Sequence, residues 1–150
     1  RYRDQALHMK YVSTGASATL PQLVVAEFVA KGHYERHLRH VTRQYQRQRD
    51  VMIGWVQRYF PPGSGISYPQ GSFLLWVELP AAVDCVKLNQ RLAQHAIHVA
   101  PGSLFSASGK FRQCLRLNYA FTLTPAIEDA VRTVGEFATE MVEEAQASLV

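Results

Sequence analysis

A long amphipathic helix constrains the fold of this chain more than any other feature. Apolar and aromatic residues recur at helical spacing over residues 34–59, and Pro61-Pro62 ends the run. A shorter run over residues 20–31 has the same spacing and ends at Gly32, a residue type suited to the left-handed position after a helix. The sequence therefore predicts two helices, the second much longer, before the first strand.

Strand signals follow in the second half of the chain. Residues 73–79 form a nearly continuous apolar run closed by Pro80, and this pattern predicts a strand buried on both faces. Two further strands are predicted over residues 97–100 and 114–119, separated by a loop rich in Ser and Gly.

Two more helices are predicted beside these strands. One begins at Asp84, whose carboxylate can accept hydrogen bonds from the free N–H groups of a helix start, and extends to about Ala96. The other begins at Thr124-Pro125, where a capping hydroxyl precedes a proline at the first helical position, and extends to near Ala145.

The order of the elements predicts the fold class. Two helices, a strand, a helix, two strands and a final helix are typical of an α/β layer. We expect an α+β domain in which a small mixed sheet is covered by helices and preceded by the long helix. The chain has 150 residues, 47% of them hydrophobic and 19% charged, as expected for one globular domain that needs no disulfide to stabilise its core.

Several functions are disfavoured by what the sequence lacks. Cys85 and Cys114 are distant in sequence and form no CxxC motif, so we interpret both as free thiols. No segment approaches the roughly 18 apolar residues of a spanning helix, and the first ten residues form no signal sequence, so a soluble, cytoplasmic protein is expected. The chain does not begin with Met, so we expect it to be a piece of a longer protein.

The last predicted strand places a charged side chain within an apolar run. Alternation along the strand puts one set of residues on the core face and the other set on the opposite face: Leu115, Leu117 and Tyr119 against Cys114, Arg116 and Asn118. An unpaired guanidinium there costs several kcal/mol, roughly, unless it reaches water or meets an anion. Arg116 therefore binds a carboxylate or phosphate, forms an internal salt bridge or lies at an exposed sheet edge, and spacing alone does not decide among these.

Other candidate sites are weaker. The loop over residues 100–106 lacks the glycine pattern of a phosphate-binding loop. The histidines His33, His37 and His40 share a helical face, but no carboxylate or Cys joins them at matched spacing, so no metal site is predicted. The basic face of the same helix lacks interleaved aromatic residues, which disfavours nucleic-acid binding by this chain.

Several segments together resemble the aminotransferase-like part of MocR-type regulators of the GntR group. In chain order they are HYERHLR at 33–39 continuing through Tyr45 to Arg49-Asp50, PQGSF at 69–73, LWVELP at 75–80, VAPG at 99–102, LF at 104–105 and LRLNY at 115–119. They span nearly the whole chain. Ser72 departs from the family pattern, in which a second glycine is usual, and this bears on local backbone geometry.

The resemblance implies a fold and a division of the chain. In that family a winged helix-turn-helix DNA-binding domain is joined to a body that resembles fold type I pyridoxal phosphate enzymes. Residues 1–32 would be a remnant of the large domain and linking helix, and residues 33–150 the C-terminal small domain. DNA would be bound only through the N-terminal domain, which lies outside this chain, and no membrane partner is implied.

The resemblance also implies what this chain does not carry. The family's Schiff-base lysine lies in a Ser-rich motif, and none of the four lysines, Lys10, Lys31, Lys87 and Lys110, has that context. We therefore expect pyridoxal 5'-phosphate in the intact protein but no covalent cofactor, no cofactor-binding residue and no catalytic residue in this chain, which alone would not be an enzyme.

The site residues that carry over are few. Arg116 matches the arginine that binds the α-carboxylate of an amino acid substrate or effector, and Asn118 on the same face supports it. The segment Ser13-Thr14-Gly15 matches a region near the partner subunit, which implies a homodimer contact. The predicted function is a regulator whose aminotransferase-like body senses an amino acid or amine. The alternative is a free-standing pyridoxal phosphate-dependent aminotransferase, and a helix-turn-helix segment upstream would decide between them.

Overall fold

The computed structural model describes residues 2–15 and 18–148. Contacts divide the chain into two compact units, Arg1–Val41 and Thr42–Val150. The elements, in chain order, are α1 (Arg3–Thr14), α2 (Thr19–Ala30), α3 (His33–Tyr59), β1 (Gly65–Ile66), β2 (Leu74–Glu78), α4 (Cys85–Ala93), β3 (Ala100–Pro101), a 3-10 helix (Gly102–Phe105), β4 (Cys114–Asn118) and α5 (Pro125–Ala147). The boundary predicted at residue 33 stays a prediction.

The first unit contains α1, α2 and the beginning of α3. Neither α1 nor α2 has a buried residue. Helix α2 lies where the sequence predicts it, and Gly32 takes the expected positive φ of 69° after it. The sequence does not predict α1, because its apolar residues form no continuous stripe and only the helix-forming tendency of its residue types marks it.

Helix α3 confirms the long predicted helix. Within the second unit its stripe enters the core through Met52, Ile53 and Val56, and Gln48 is buried beside them. Phe60 is also buried, and Pro61 follows the last turn. The apolar spacing in the sequence therefore marks the helix face that packs.

The sheet has the order β1-β2-β4-β3, and every pairing among the described strands is antiparallel. The α+β fold with a small sheet covered by helices is confirmed, but the expected mixed sheet is wrong in that detail. Strands β2 and β3 run parallel to each other, yet β4 lies between them and pairs with both. The sequence does not predict the short strand β1.

Strand β3 is shorter and later than predicted. The sequence predicts residues 97–100, whereas the structure pairs only Ala100 and Pro101 with β4. The N–H of Val99 donates to the side-chain oxygen of Asn89 at 2.9 Å instead. Helix α4 also ends at Ala93 rather than Ala96, which has a positive φ of 56° incompatible with a continuing helix.

The core lies on one face of the β2–β4 pair. Leu75, Val77 and Leu115 are fully buried there, packed with side chains of α3, α4 and α5. The prediction that β2 is buried on both faces is wrong, because Trp76 is only half-buried and Glu78 is exposed. On the opposite face, Phe105 and Phe111 from the segment after β3 pack against Trp76.

The two predicted helix starts differ in their caps. Asp84 caps α4, its Oδ1 accepting from the N–H groups of Val86 and Lys87. Thr124 makes no side-chain cap bond on α5, so that part of the prediction is wrong, although Pro125 does occupy the first turn. The Thr124 carbonyl instead accepts the first helical N–H bonds.

Candidate functional site

Arg116 lies in the middle of β4, opposite Trp76 of β2 and Ala100 of β3. Directly opposite residues in antiparallel strands point to the same face. The Arg116 side chain is therefore on the face away from the core, between Trp76 and Ala100, and it is half-buried. Because β4 has a neighbour on each side, Arg116 does not lie on an edge strand.

The guanidinium of Arg116 has no acidic partner in the part of the chain that the structure describes. The ion pairs there involve other residues, and no hydrogen bond is donated by its side chain. The internal salt bridge that the sequence left open is thus not formed by residues 2–15 and 18–148. A half-buried cation with free donors remains.

The contact that Arg116 does make is with an aromatic ring. Its Cζ atom lies 4.4 Å from the ring centroid of Phe105, at the end of the 3-10 helix. Phe105 packs edge-on against Trp76 with centroids 5.9 Å apart, and Phe111 packs against the same indole at 5.7 Å. The outer face thus carries a group of three aromatic rings and one guanidinium.

A groove of about 640 Å³ adjoins this face. Its wall is mostly apolar and it includes Arg116 and Asn118, the two residues predicted to bind a ligand. Apolar members come from α3, from the segment before β3 and from α5, among them Met52, Phe73, Ile97, Val99, Phe121 and Ile127. Such a groove suits a ligand with an apolar body and one anionic group.

Asn118 lies on the same face as Arg116 but is exposed. Its side-chain oxygen accepts from the N–H of Ala120 at 2.8 Å and thereby stabilises the turn after β4. This bond gives Asn118 a structural role at the rim of the groove, and its participation in ligand binding stays a prediction.

The loop that carries Phe105 is fixed by close packing. A Cβ added at Gly102 would lie 2.5 Å from the carbonyl oxygen of Phe111 and 2.8 Å from the Cβ of Cys114, so only glycine fits. Ser106 accepts from the N–H of Lys110 through its hydroxyl. Gly102 of the VAPG segment therefore lets the loop approach the sheet closely.

The segments of the resemblance meet around β4. Arg49 of α3 donates to the carbonyl of Pro69 at 3.0 Å, and Tyr45 packs against the rings of Phe73 and Tyr119. Ser72 has a positive φ of 75°, the conformation in which glycine is favoured. The departure from the family pattern at Ser72 thus lies at a position where the backbone itself favours the missing glycine.

The two thiols are free, as predicted, and buried. Burial, with smaller contributions from Cys114 and Asp84, raises the pKa of Cys85 to about 12. Burial also raises the pKa of Cys114, and the nearby Glu78 adds to this. A thiol must lose its proton to act as a nucleophile, so neither cysteine suits covalent catalysis.

The lysines do not fit a covalent pyridoxal phosphate site within this chain. All four are exposed, and none lines the groove beside Arg116. Among the described residues, no cluster of three or more His, Cys, Asp or Glu side chains is placed to hold a metal ion. In the same part of the chain, none of the helices is both long enough and apolar enough to cross a membrane.

Sequence comparison decides the family. The sequence pattern of aminotransferase class I and II matches residues 2–134, which is most of the chain. The chain belongs to the aminotransferase class I and II family. It is also 43% identical over 136 residues to the uncharacterized HTH-type transcriptional regulator YjiR of Escherichia coli K12, covering 91% of this chain but only 29% of that protein.

Solved aminotransferases share the fold. The multiple substrate aminotransferase of Thermococcus profundus matches 91% of this chain and 34% of its own, with a TM-score of 0.82 and 23% identity. LysN, the α-aminoadipate aminotransferase of Thermus thermophilus, matches 91% of this chain and 35% of its own, with a TM-score of 0.77 and 26% identity, in a complex with N-(5'-phosphopyridoxyl)-L-leucine. The predicted fold and resemblance are confirmed, and the chain spans about a third or less of these relatives.

Proposed function

We propose that this chain is the C-terminal part of the aminotransferase-like body of a transcriptional regulator, and that Arg116 binds the carboxylate of its amino acid effector. The identity with the regulator YjiR, 43%, is higher than with the aminotransferases of similar fold, and it supports a regulator. The observation that carries the site is the half-buried guanidinium of Arg116 with no acidic partner among the described residues.

The geometry around Arg116 suits a carboxylate. A guanidinium can stack on an aromatic ring through its face while its N–H donors lie in the plane of the fork. The Arg116 Cζ atom lies 4.4 Å from the Phe105 ring centroid and the guanidinium forms no ion pair with a described residue, so its donors are available for a bidentate bond to two oxygens. Such a charge-assisted contact is worth roughly 1.5–3 kcal/mol, which offsets the cost of partly burying the cation.

The wall of the groove favours an effector with an apolar side chain. The polar side chains in the groove are His98, Arg116 and Asn118, and the rest of the lining is apolar apart from backbone. LysN was crystallised with a leucine derivative of the cofactor, which agrees with an apolar amino acid in this fold. Pyridoxal phosphate in the full-length protein would be held by residues outside this chain, with a homodimer and a separate DNA-binding domain completing the regulator.

Substitution of Arg116 tests the proposal in the full-length protein. Arg116→Lys keeps the charge but loses the fork, and Arg116→Ala loses both, so amino acids should bind about 10-fold more weakly or worse, with Ala the weaker binder. Calorimetric titration measures this, and the absorbance of bound pyridoxal phosphate should not change. Arg91→Ala, which removes a half-buried arginine that is paired with Glu144 and lies outside the groove, is the matched control and should bind as the parent does.

Equal affinity in the parent and in both Arg116 variants would overturn the site assignment and make Arg116 a structural residue. Loss of the cofactor absorbance in Arg116→Ala would also contradict the proposal, because it would place Arg116 at the cofactor rather than at the effector.

The second candidate is a free-standing aminotransferase, favoured by the likeness to LysN. In that case Arg116 would orient a substrate rather than an effector. Two assays of the full-length protein distinguish these candidates. A regulator binds a DNA fragment in a gel-shift assay, and the amino acid changes that binding. An aminotransferase does not bind DNA but transfers the amino group of the amino acid to a 2-oxo acid.

A further inference from the structure

The three aromatic rings on the outer face of the sheet, Trp76, Phe105 and Phe111, are not part of the hydrophobic core. Phe105 is half-exposed, and Leu104 beside it is 72% exposed, so neither is needed to fill the core. Yet Phe105 is the residue whose ring lies against the Arg116 guanidinium, at 4.4 Å from Cζ. Because this exposed ring contacts the charged group that is proposed to bind the ligand, it suggests that Phe105 has a function in ligand binding.

We propose that Phe105 is a positioning residue that holds Arg116 in the conformation required to bind a carboxylate, and so contributes to selectivity for carboxylate-bearing ligands. The inference rests on the proposed function of Arg116. Phe105 contacts the arginine and is not among the residues that line the groove.

The ring is held in place from two sides. Trp76 lies opposite Arg116 in the β2–β4 register and packs edge-on against Phe105 at 5.9 Å. The 3-10 helix that ends at Phe105 begins at Gly102, where the backbone lies so close to Phe111 and Cys114 that no Cβ fits. The ring position is therefore set by the sheet and by the loop together.

A fixed ring restricts the guanidinium without competing for its hydrogen bonds. Stacking uses the face of the group, and the carboxylate uses its edge. An arginine has many rotamers, and fixing one of them when a ligand binds costs free energy. If the side chain is already held in that rotamer before binding, this cost is smaller. Removing the ring should therefore weaken binding of carboxylates but not of ligands that lack one.

Neighbouring residues provide matched variants. Phe105→Leu keeps an apolar side chain but removes the ring face, and Phe105→Tyr keeps the face. Leu104→Ala removes an exposed apolar side chain one residue away and has no ring to remove. All three are made in the full-length protein, beside Arg116→Ala.

The first measurement needs no ligand. Phenylglyoxal modifies accessible guanidinium groups, and mass spectrometry of the peptide that contains Arg116 gives the rate at that residue. Phe105→Leu should raise the rate about two- to fivefold, as expected for loss of a cation–π contact, while Phe105→Tyr and Leu104→Ala leave it unchanged. Equal rates in Phe105→Leu and the parent would overturn the proposal.

The second measurement is the affinity for ligands. The twenty standard amino acids are titrated into the parent, and the tightest binder is compared with the amine that lacks its carboxylate. Phe105→Leu should bind the amino acid about 3- to 10-fold more weakly and the amine equally well, and Phe105→Tyr should restore the amino acid affinity. An equal loss for acid and amine, or an equal loss in Leu104→Ala, would contradict a positioning role.

The two proposals fail differently. If Arg116→Ala binds amino acids as the parent does, or if no amino acid binds the parent, the proposed function is wrong, and the modification rates still decide whether Phe105 holds Arg116. If Arg116→Ala weakens binding while Phe105→Leu does not, only the role of Phe105 is wrong.

Discussion

The two faces of the β2–β4 pair differ in how completely they are packed. On the core face, Leu75, Val77 and Leu115 have no exposed surface and lie against three helices. On the outer face, Trp76 and Arg116 are half-buried, and Phe105 of the 3-10 helix packs against both of them. The core face stabilises the fold, whereas the outer face carries a cation with free donors. Both follow from the alternation of side chains along β4.

The largest expected difference between the two faces is in stability, and substitutions of two adjacent residues of β4 test it. Leu115→Ala removes a fully buried side chain and should lower the free energy of unfolding by about 2–5 kcal/mol. Arg116→Ala, on the opposite face, removes no ion pair of the described residues and should change it by about 1 kcal/mol or less. Urea unfolding of the 150-residue chain measures both.

The reverse order of these two effects would show that the outer face is part of the core of this protein. A large loss of stability in Arg116→Ala would mean that the guanidinium makes a structural interaction, and the binding assignment would then lose its main support.

A smaller effect on stability is expected at Asp84, which caps α4 and forms an ion pair with Arg112, two residues before β4. Burial of this carboxyl acts to raise its pKa, but hydrogen bonds from Arg112 and from the N–H groups of Val86 and Lys87 outweigh it, so the pKa lies below the usual 3.8. A lowered pKa in the folded state gives stability that is present above pH 3.8 and is lost as the pH falls through the folded value.

Asp84→Asn keeps an N-cap oxygen but loses the charge on the Arg112 pair. Because the Arg112 side chain is largely exposed, the loss at pH 7 should be about 1 kcal/mol or less. The difference between the variant and the parent should shrink toward zero as the pH is lowered below 3.8 in urea unfolding experiments. A difference that stays constant with pH would show that the charge on Asp84 contributes nothing to stability.

Local patterns explain which parts of the fold the sequence predicts. The spacing over α3 and the alternation over β4 each lie within one element, so they are visible without knowledge of the partners. The sequence overestimates the burial of β2, because the same run of apolar residues is compatible with a second face covered by a helix and with one covered by a loop. Strand β1, with two residues, carries too little pattern to be found.

The site could be predicted only in part for a related reason. Alternation places Arg116 on the outer face, but its contact with Phe105 depends on a loop that folds back over the sheet. Gly102 permits that close approach, but the sequence alone does not distinguish it from a glycine in an ordinary turn. The pairing of Arg49 with the Pro69 carbonyl is equally long-range, and no spacing rule reveals it.

The most direct test of the role of Arg116 is a crystal structure of the full-length protein with its tightest-binding amino acid. We expect both carboxylate oxygens to accept hydrogen bonds from the Arg116 guanidinium at about 2.7–2.9 Å, with the group still stacked on Phe105. The account would be contradicted by a structure in which Arg116 is paired with an aspartate or glutamate of the protein and the ligand carboxylate is bound by other residues.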